Sequence, residues 1–207
     1  MNPTRLTALL ISLFIVFIFL FRTDAPTVET RKLGARDLVL AFGDSLTYGY
    51  GAPDQSYPKQ LQPLIQREVI NAGIPGELSS TGLQRLPKLL ERYHPSLVIL
   101  CHGGNDILRR MSQERLKANL AAMIRLCREY RAQVLLVDVP AFGMLGLKTL
   151  PLYAELSWEE GVLYEGGILA MIENDPVLKS DTIHPNASGY RLMAEAFKNV
   201  LKEHGVI

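Results

Sequence analysis

From Asp37 onward, short and nearly unbroken apolar runs alternate with longer segments whose apolar residues recur at helical spacing. Strands that are apolar on both faces must be covered on both, so this alternation describes a parallel sheet between two helical layers. Strands are expected at 38–42, 68–71, Leu97–Cys101 and 134–139, with a shorter fifth near 161–164. Helices are expected at 57–67, with Ser56 as cap and Pro58 in the first turn, and at 83–93, interrupted at Pro87. Two more fall at 112–130 and Ala187–Glu203, the last behind an Asn186 cap. Residues 141–156 carry Gly143, Gly146 and Pro151 among apolar neighbours and read as an irregular loop beside the strand ends. The expected fold class is α/β: three layers, α/β/α, about a mostly parallel central sheet, preceded by an N-terminal apolar helix.

That preceding segment is residues 6–21, LTALLISLFIVFIFLF, uncharged and bounded by Arg5 and Arg22. As a helix it would reach about 24 Å, short of the roughly 30 Å hydrocarbon core, so the flanking arginines would snorkel. It reads as a signal peptide or a membrane anchor. The uncleaved anchor is preferred, because the candidate cleavage site Thr23-Asp24-Ala25 is followed by Pro26. The chain therefore divides into an anchor or signal segment at 1–22, a linker at 23–36 and a folded domain at 37–207. Arg22, Arg31, Lys32 and Arg36 follow the apolar run, and by the positive-inside rule they favour a cytoplasmic domain.

Lys and Arg number 22 against 21 Asp and Glu, a net charge of +1, which excludes the basic footprint of a nucleic-acid binder. Hydrophobic residues at 48% and charged ones at 21% provide a full core and exclude a disordered chain. Cys101 and Cys127 are too few for a disulfide scaffold and read as small buried residues. The four histidines lack companions at metal-ligand spacing, so neither a metal nor another cofactor is expected.

Ligands of open parallel sheets sit outside the carboxyl ends of the strands. Four unusual segments fall at such places: Gly43-Asp44-Ser45-Leu46, Asn71 to Gly76, Gly103-Gly104-Asn105-Asp106, and Asp181-Thr182-Ile183-His184-Pro185 before the last helix. A serine hydroxyl needs a neighbouring base to become a nucleophile, and an imidazole with an ordinary pKa of about 6.5 suits that task near neutrality. His184 is the natural base for Ser45, and Asp181, three residues earlier on a tight turn, can reach its Nδ1. Glycines beside Ser45 and after the second strand leave backbone N–H groups free to face a developing oxyanion. Each segment also has a plain reading: a strand-to-loop turn for Gly43-Asp44-Ser45, a solvated turn residue for Asp181, a helix cap for Asn105-Asp106. Asp44 is read as organising its turn and His102 as a satisfied core or rim histidine. His94 and His204 are read as surface positions, and Tyr48, Tyr50 and Tyr57 as a substrate rim or plain packing.

Taken together and in this order, the four segments resemble the SGNH, or GDSL, hydrolase superfamily over residues 37–204. Residues 71–90, NAGIPGELSSTGLQRLPKLL, and 179–190, KSDTIHPNASGY, are most similar to its thioesterase, arylesterase and lysophospholipase branch. The resemblance implies a flavodoxin-like fold, Ser45, Asp181 and His184 as catalytic residues, and an oxyanion hole built from the Ser45 and Gly76 N–H groups and the Asn105 amide. It implies hydrolysis of acyl esters, such as lysophospholipids, aryl esters or acyl thioesters, through an acyl-enzyme on Ser45. Two competing readings are a carbohydrate O-acetylesterase acting on cell-envelope glycans and an inactive, membrane-tethered binding module. The branch commonly carries Asp-Thr after the oxyanion glycine; here Glu77-Leu78 stands there, which puts the hole's supporting hydrogen bonds in question. The expected partners are a small acyl-ester or lipid substrate and a membrane, met through the N-terminal segment; nucleic acid is not among them. A monomer is expected, and relatives of this branch favour an extracytoplasmic or periplasmic domain over the cytoplasmic placement that charge suggests.

Overall fold

The computed structural model describes residues 28–143 and 146–207. Among them the strands are β1 (Val39–Gly43), β2 (Val69–Gly73), β3 (Leu97–Cys101), β4 (Gln133–Val137), a short pair β5 (Ala141–Gly143) and β6 (Gly146–Lys148), and β7 (Leu163–Glu165). Five form one parallel sheet in the order β2-β1-β3-β4-β7, while β5 and β6 make a separate antiparallel hairpin. β1 pairs with both neighbours in register, Val39 beside Val69 and Leu97, and Gly43 beside Gly73 and Cys101. The chain runs outward from β1 to β2 and then returns to β3 on the other side. The carboxyl ends of β1 and β3 therefore form the topological switch point where a doubly wound sheet opens a crevice.

Helices fill the two outer layers, giving the α/β/α fold expected. They are α1 (Ser45–Tyr48), α2 (Tyr57–Ile65), α3 (Ser79–Tyr93), α4 (Gly104–Leu108), α5 (Gln113–Glu129), α6 (Pro151–Glu160), α7 (Ile168–Asn174) and α8 (Ala187–Glu203). On one face α3 packs on α5 and α5 on α6; on the other α2 packs on α8 and α8 on α7. Every residue of β1 and β3 is buried, as the unbroken apolar runs require. Each such Leu, Ile or Val contributes roughly 1.5–3 kcal/mol on leaving water. Tyr57 is fully buried edge-on to Phe197 at 5.0 Å, so it belongs to the packing between α2 and α8, while Tyr48 and Tyr50 are exposed.

Several expectations need correction. Pro87 does not interrupt its helix: α3 runs unbroken from Ser79, earlier than expected, because Leu86 and Leu90 on either side of the proline are fully buried. Its start is held from a distance, the Ser79 N–H donating to Asp106 Oδ2 at 2.8 Å. Residues 141–156 are not a loop. They form the β5–β6 hairpin and the first half of α6, which opens on Pro151 and buries Leu152, Tyr153 and Leu156. Ser56 stands at the N-terminus of α2 but makes no cap hydrogen bond, whereas Asn186 Oδ1 accepts from Ser188 and Gly189 N–H at 3.0 and 3.1 Å.

The fold also begins before Asp37. Leu33 is buried and its N–H donates to Val206 O at 2.8 Å. The Arg31 N–H donates to Gln133 Oε1 at 2.7 Å, and Gln133 Nε2 returns a bond to Arg31 O at 2.9 Å. Thr30 Oγ1 donates to His204 O. Part of the expected linker is thus stitched to the amino-terminal end of the sheet. The apolar segment and the start of the linker lie outside the described residues. Among the described residues, no helix is long and apolar enough to cross a membrane.

Candidate active site

Ser45 is the first residue of α1, directly after β1, and is half-buried. A side chain at Gly43 would run into the Cys101 carbonyl, so glycine lets the ends of β1 and β3 come this close. Ser45 Oγ lies 3.0 Å from His184 Nε2, although 139 positions separate them in sequence. His184 Nδ1 lies 2.8 Å from Asp181 Oδ2, and Asp181 Oδ1 accepts the N–H groups of Ile183 and His184, each at 2.8 Å. Partial burial works against the ionised Asp181, but those backbone donors and the imidazole outweigh it and hold its carboxyl down to about 2. An ionised Asp181 can only accept, so Nδ1 carries the histidine proton and the Nε2 lone pair faces the serine hydroxyl. The Tyr50 ring lies against the imidazole, centroid to centroid 4.6 Å, and the Tyr190 hydroxyl fixes Tyr50 through its carbonyl at 2.9 Å.

Across the crevice stand Gly76 and Asn105. Gly76 has φ +79°, a left-handed conformation suited to glycine, and among the described residues nothing accepts its N–H. Asn105 Nδ2 donates one hydrogen to Asp44 Oδ2 at 3.2 Å, which leaves its second amide hydrogen for another acceptor. Asp44 is buried and also accepts from Leu46 N–H at 3.1 Å, so a single carboxylate ties the nucleophile's turn to Asn105. Burial raises the Asp44 pKa against the opposing influence of His102, the Leu46 N–H and Asn105. Sequence reading places Asp44 in its turn but misses this bridge, which local patterns cannot reveal.

Two groups named in the sequence prove to do more than their local reading gives, and a third, Glu173, is not visible there at all. Glu77, next to Gly76, receives Arg85 Nε at 2.8 Å and Nη2 at 2.6 Å, and faces His102 Nε2 at 3.2 Å. Because the Gly103 N–H donates to His102 Nδ1 at 3.0 Å, Nε2 carries the proton and donates a hydrogen bond to Glu77. His102 is thus a satisfied core histidine, and the departure Glu77-Leu78 comes with its own supporting bonds. Asp106 accepts from both the N–H and the hydroxyl of Ser79, at 2.8 and 2.7 Å, tying α4 to the start of α3. Glu173 of α7 is buried beside the crevice, and burial pushes its carboxyl up to about 8 despite Lys179.

Ser45, Gly76, Asn105, His184 and Glu173 line one cavity of about 220 Å³, walled by Leu46, Ile107, Val139 and Ile183. Cys101 and Cys127 are buried thiols, the second pushed up by burial to about 12, and neither lines this cavity. Among the described residues no group of His, Cys, Asp or Glu is placed to hold a metal ion. The arrangement can take a proton from a serine hydroxyl and offer N–H donors to an oxygen beside it.

The model of the GDSL-like lipase/acylhydrolase family matches residues 41–192. An arylesterase of Vibrio mimicus is 29% identical over 82% of this chain and 90% of its own length. The thioesterase 1/protease 1/lysophospholipase L1 of Escherichia coli K12 is 28% identical over 80% of this chain and 84% of its own. Among solved structures, the psychrotrophic esterase EstA of a Pseudoalteromonas species superposes with a TM-score of 0.73 at 25% identity, covering 81% of this chain and 98% of that one.

Proposed function

The chain belongs to the GDSL-like lipase/acylhydrolase family and is a carboxylic ester hydrolase, and we propose that it works through an acyl-enzyme on Ser45. His184 Nε2 takes the hydroxyl proton as Ser45 Oγ attacks the ester carbonyl, and Asp181 holds the imidazole in the required tautomer and stabilises its cation. The Ser45 and Gly76 N–H groups and the free Asn105 amide hydrogen receive the oxyanion, each such donor lowering the barrier by about 2.7–4 kcal/mol. As the intermediate collapses, His184 protonates the departing alcohol or thiol. It then activates the water that releases the acid from Ser45. The observation that carries this reading is the unbroken relay Ser45–His184–Asp181 at 3.0 and 2.8 Å.

Ser45→Ala and His184→Ala are each expected to lower kcat on p-nitrophenyl esters by at least about 10³-fold without changing the melting curve. More than about a tenth of wild-type activity left in Ser45→Ala would end the assignment. With its carboxyl held at about 2, Asp181 stays ionised through mild acid, so its protonation should not limit the rate there.

The substrates proposed are aryl esters, acyl thioesters and lysophospholipids of short to medium chain. The volume and largely apolar walls of the cavity support this, as do the names of the Vibrio and Escherichia relatives. A series of p-nitrophenyl esters from acetate to palmitate tests it. Cleavage confined to acetate would favour the glycan O-acetylesterase, and inactivity throughout would favour the binding module. We also propose that residues 1–22 hold the domain, residues 37–207 with its stitched approach, at a membrane on the extracytoplasmic side; the uncharged run of residues 6–21 supports this. The full chain should stay in alkaline-washed membranes, and a carboxyl-terminal alkaline phosphatase fusion should be active. An inactive but well-expressed fusion would reverse the orientation.

A further inference from the structure

Helix α7 turns Leu169, Ile172 and Glu173 inward together, so a glutamate occupies the buried stripe where the fold would otherwise place a third apolar residue. Glu173 is only 6% exposed and lines the same cavity as Ser45 and His184, beside Val139, Pro140 and Ile183. Among the described residues no hydrogen bond or ion pair engages its carboxyl. Lys179 is the cation that acts on it, but the Lys179 ammonium is taken by Thr182 O at 3.0 Å. A carboxyl set this deep, facing the cavity with no protein partner, keeps part of the cost of its desolvation, and replacing it with a leucine would remove that cost. A partner delivered with each substrate offsets it.

Burial keeps this acid neutral up to about pH 8, and a neutral carboxyl both donates and accepts a hydrogen bond. That chemistry fits an uncharged oxygen, a hydroxyl or a carbonyl, better than an ammonium. On the reading of Ser45 as nucleophile, the acyl chain stays attached through both chemical steps while the alcohol leaves after the first. The cavity is therefore assigned to the acyl chain.

We propose that Glu173 is a specificity-determining residue: its carboxyl hydrogen-bonds a hydroxyl or carbonyl oxygen on the substrate's acyl chain, so that the enzyme selects oxygenated acyl esters over plain alkyl ones. A site built to pair with a polar group rejects the analogue lacking it, because its own group is then left unpaired.

The test measures kcat/KM of the full chain, at pH 7, for p-nitrophenyl hexanoate and for hexanoates carrying one hydroxyl or keto group at carbons 3 to 6. At least one oxygenated ester should exceed hexanoate by about 10-fold or more in the wild type. Glu173→Gln, which keeps a donor and an acceptor, should retain most of that preference. Glu173→Leu should abolish it and raise kcat/KM for hexanoate. A ratio near one in the wild type, or one unchanged in Glu173→Leu, would overturn the proposal. So would a preference for the 6-amino ester over the 6-hydroxy ester, or one that appears only when the hydroxyl sits on a leaving alkanol. Because the readout is a ratio between substrates, it stays distinct from the nucleophile assignment, which stands or falls with Ser45→Ala.

Discussion

Glu77 and Glu173 are each 6% exposed, and each stands beside the same crevice, yet they meet burial in opposite ways. Burial alone would raise both. Around Glu77, His102 and the two-pronged Arg85 overcome it and bring the carboxyl below its ordinary value, whereas Glu173 has no such company among the described residues and rises to about 8. Depth therefore does not decide the charge of a carboxyl here; its partners do. The distribution follows from what each wall has to do. Glu77 adjoins Gly76, whose N–H must stay aimed, and its bonds to β3 through His102 and to α3 through Arg85 fix that loop. Arg85 in turn donates to Ala72 O at 3.0 Å and lies 4.4 Å over the Phe42 ring, so the support extends into the sheet. Glu173 faces the space the substrate fills.

The comparison breaks most sharply at Glu77. Glu77→Leu strands a half-buried guanidinium and a buried imidazole, a loss approaching the roughly 3–5 kcal/mol of a broken buried pair. For a chain of this size that is a fall in Tm of roughly 6–20 °C, with kcat reduced more than KM as the Gly76 loop loosens. Glu77→Gln, which keeps the hydrogen bonds and gives up the charge, should lose less. A Tm within about 2 °C of wild type in Glu77→Leu would show that the network carries no load.

The opposite and smaller effect is expected at Glu173. Its folded carboxyl keeps the proton up to about 8 while an unfolded one releases it near 4.5, so between those values the native state binds more protons than the unfolded state. Stability then falls as pH rises through that window, and a glutamine, which does not titrate, escapes the loss. Glu173→Gln should match wild type near pH 4 and gain about 1–2 kcal/mol by pH 8, or roughly 2–8 °C in Tm. Thermal melts at both pH values check the sign, and a variant less stable than wild type at pH 8 would place an unseen partner at Glu173.

The same contrast explains what sequence alone can and cannot show. The strands that carry Ser45 and Asn105 were legible because fully covered strands must be apolar throughout, and β3 matches its expected bounds at Leu97–Cys101. The turn Asp181–His184 was legible because its two partners are three residues apart. Pro87 misled because a local helix rule was overruled by Leu86 and Leu90 in the core, and 141–156 misled because glycines that mark the hairpin ends look like those of a loop. Glu77 showed only as a departure from a pattern; its meaning needed Arg85 and His102 brought in from elsewhere. Glu173 left no periodic signal, since α7 is too short to reveal that its glutamate lies on the inward face.

The stitching of Thr30 and Arg31 gives the molecule a direction. Gln133, which clasps Arg31, is the first residue of β4, whereas Ser45 stands two residues beyond Gly43, the last residue of β1. Whatever precedes Val28 enters at one pole of the sheet and the crevice opens at the other, about 17 Å away along strands of five residues. A domain held at a surface by its amino terminus therefore turns its crevice outward, like a cup standing on its base. If residues 1–22 hold the domain at a layer as proposed, esters that arrive from solution or from a facing layer would meet the crevice directly, while those of the supporting layer would have to leave it first.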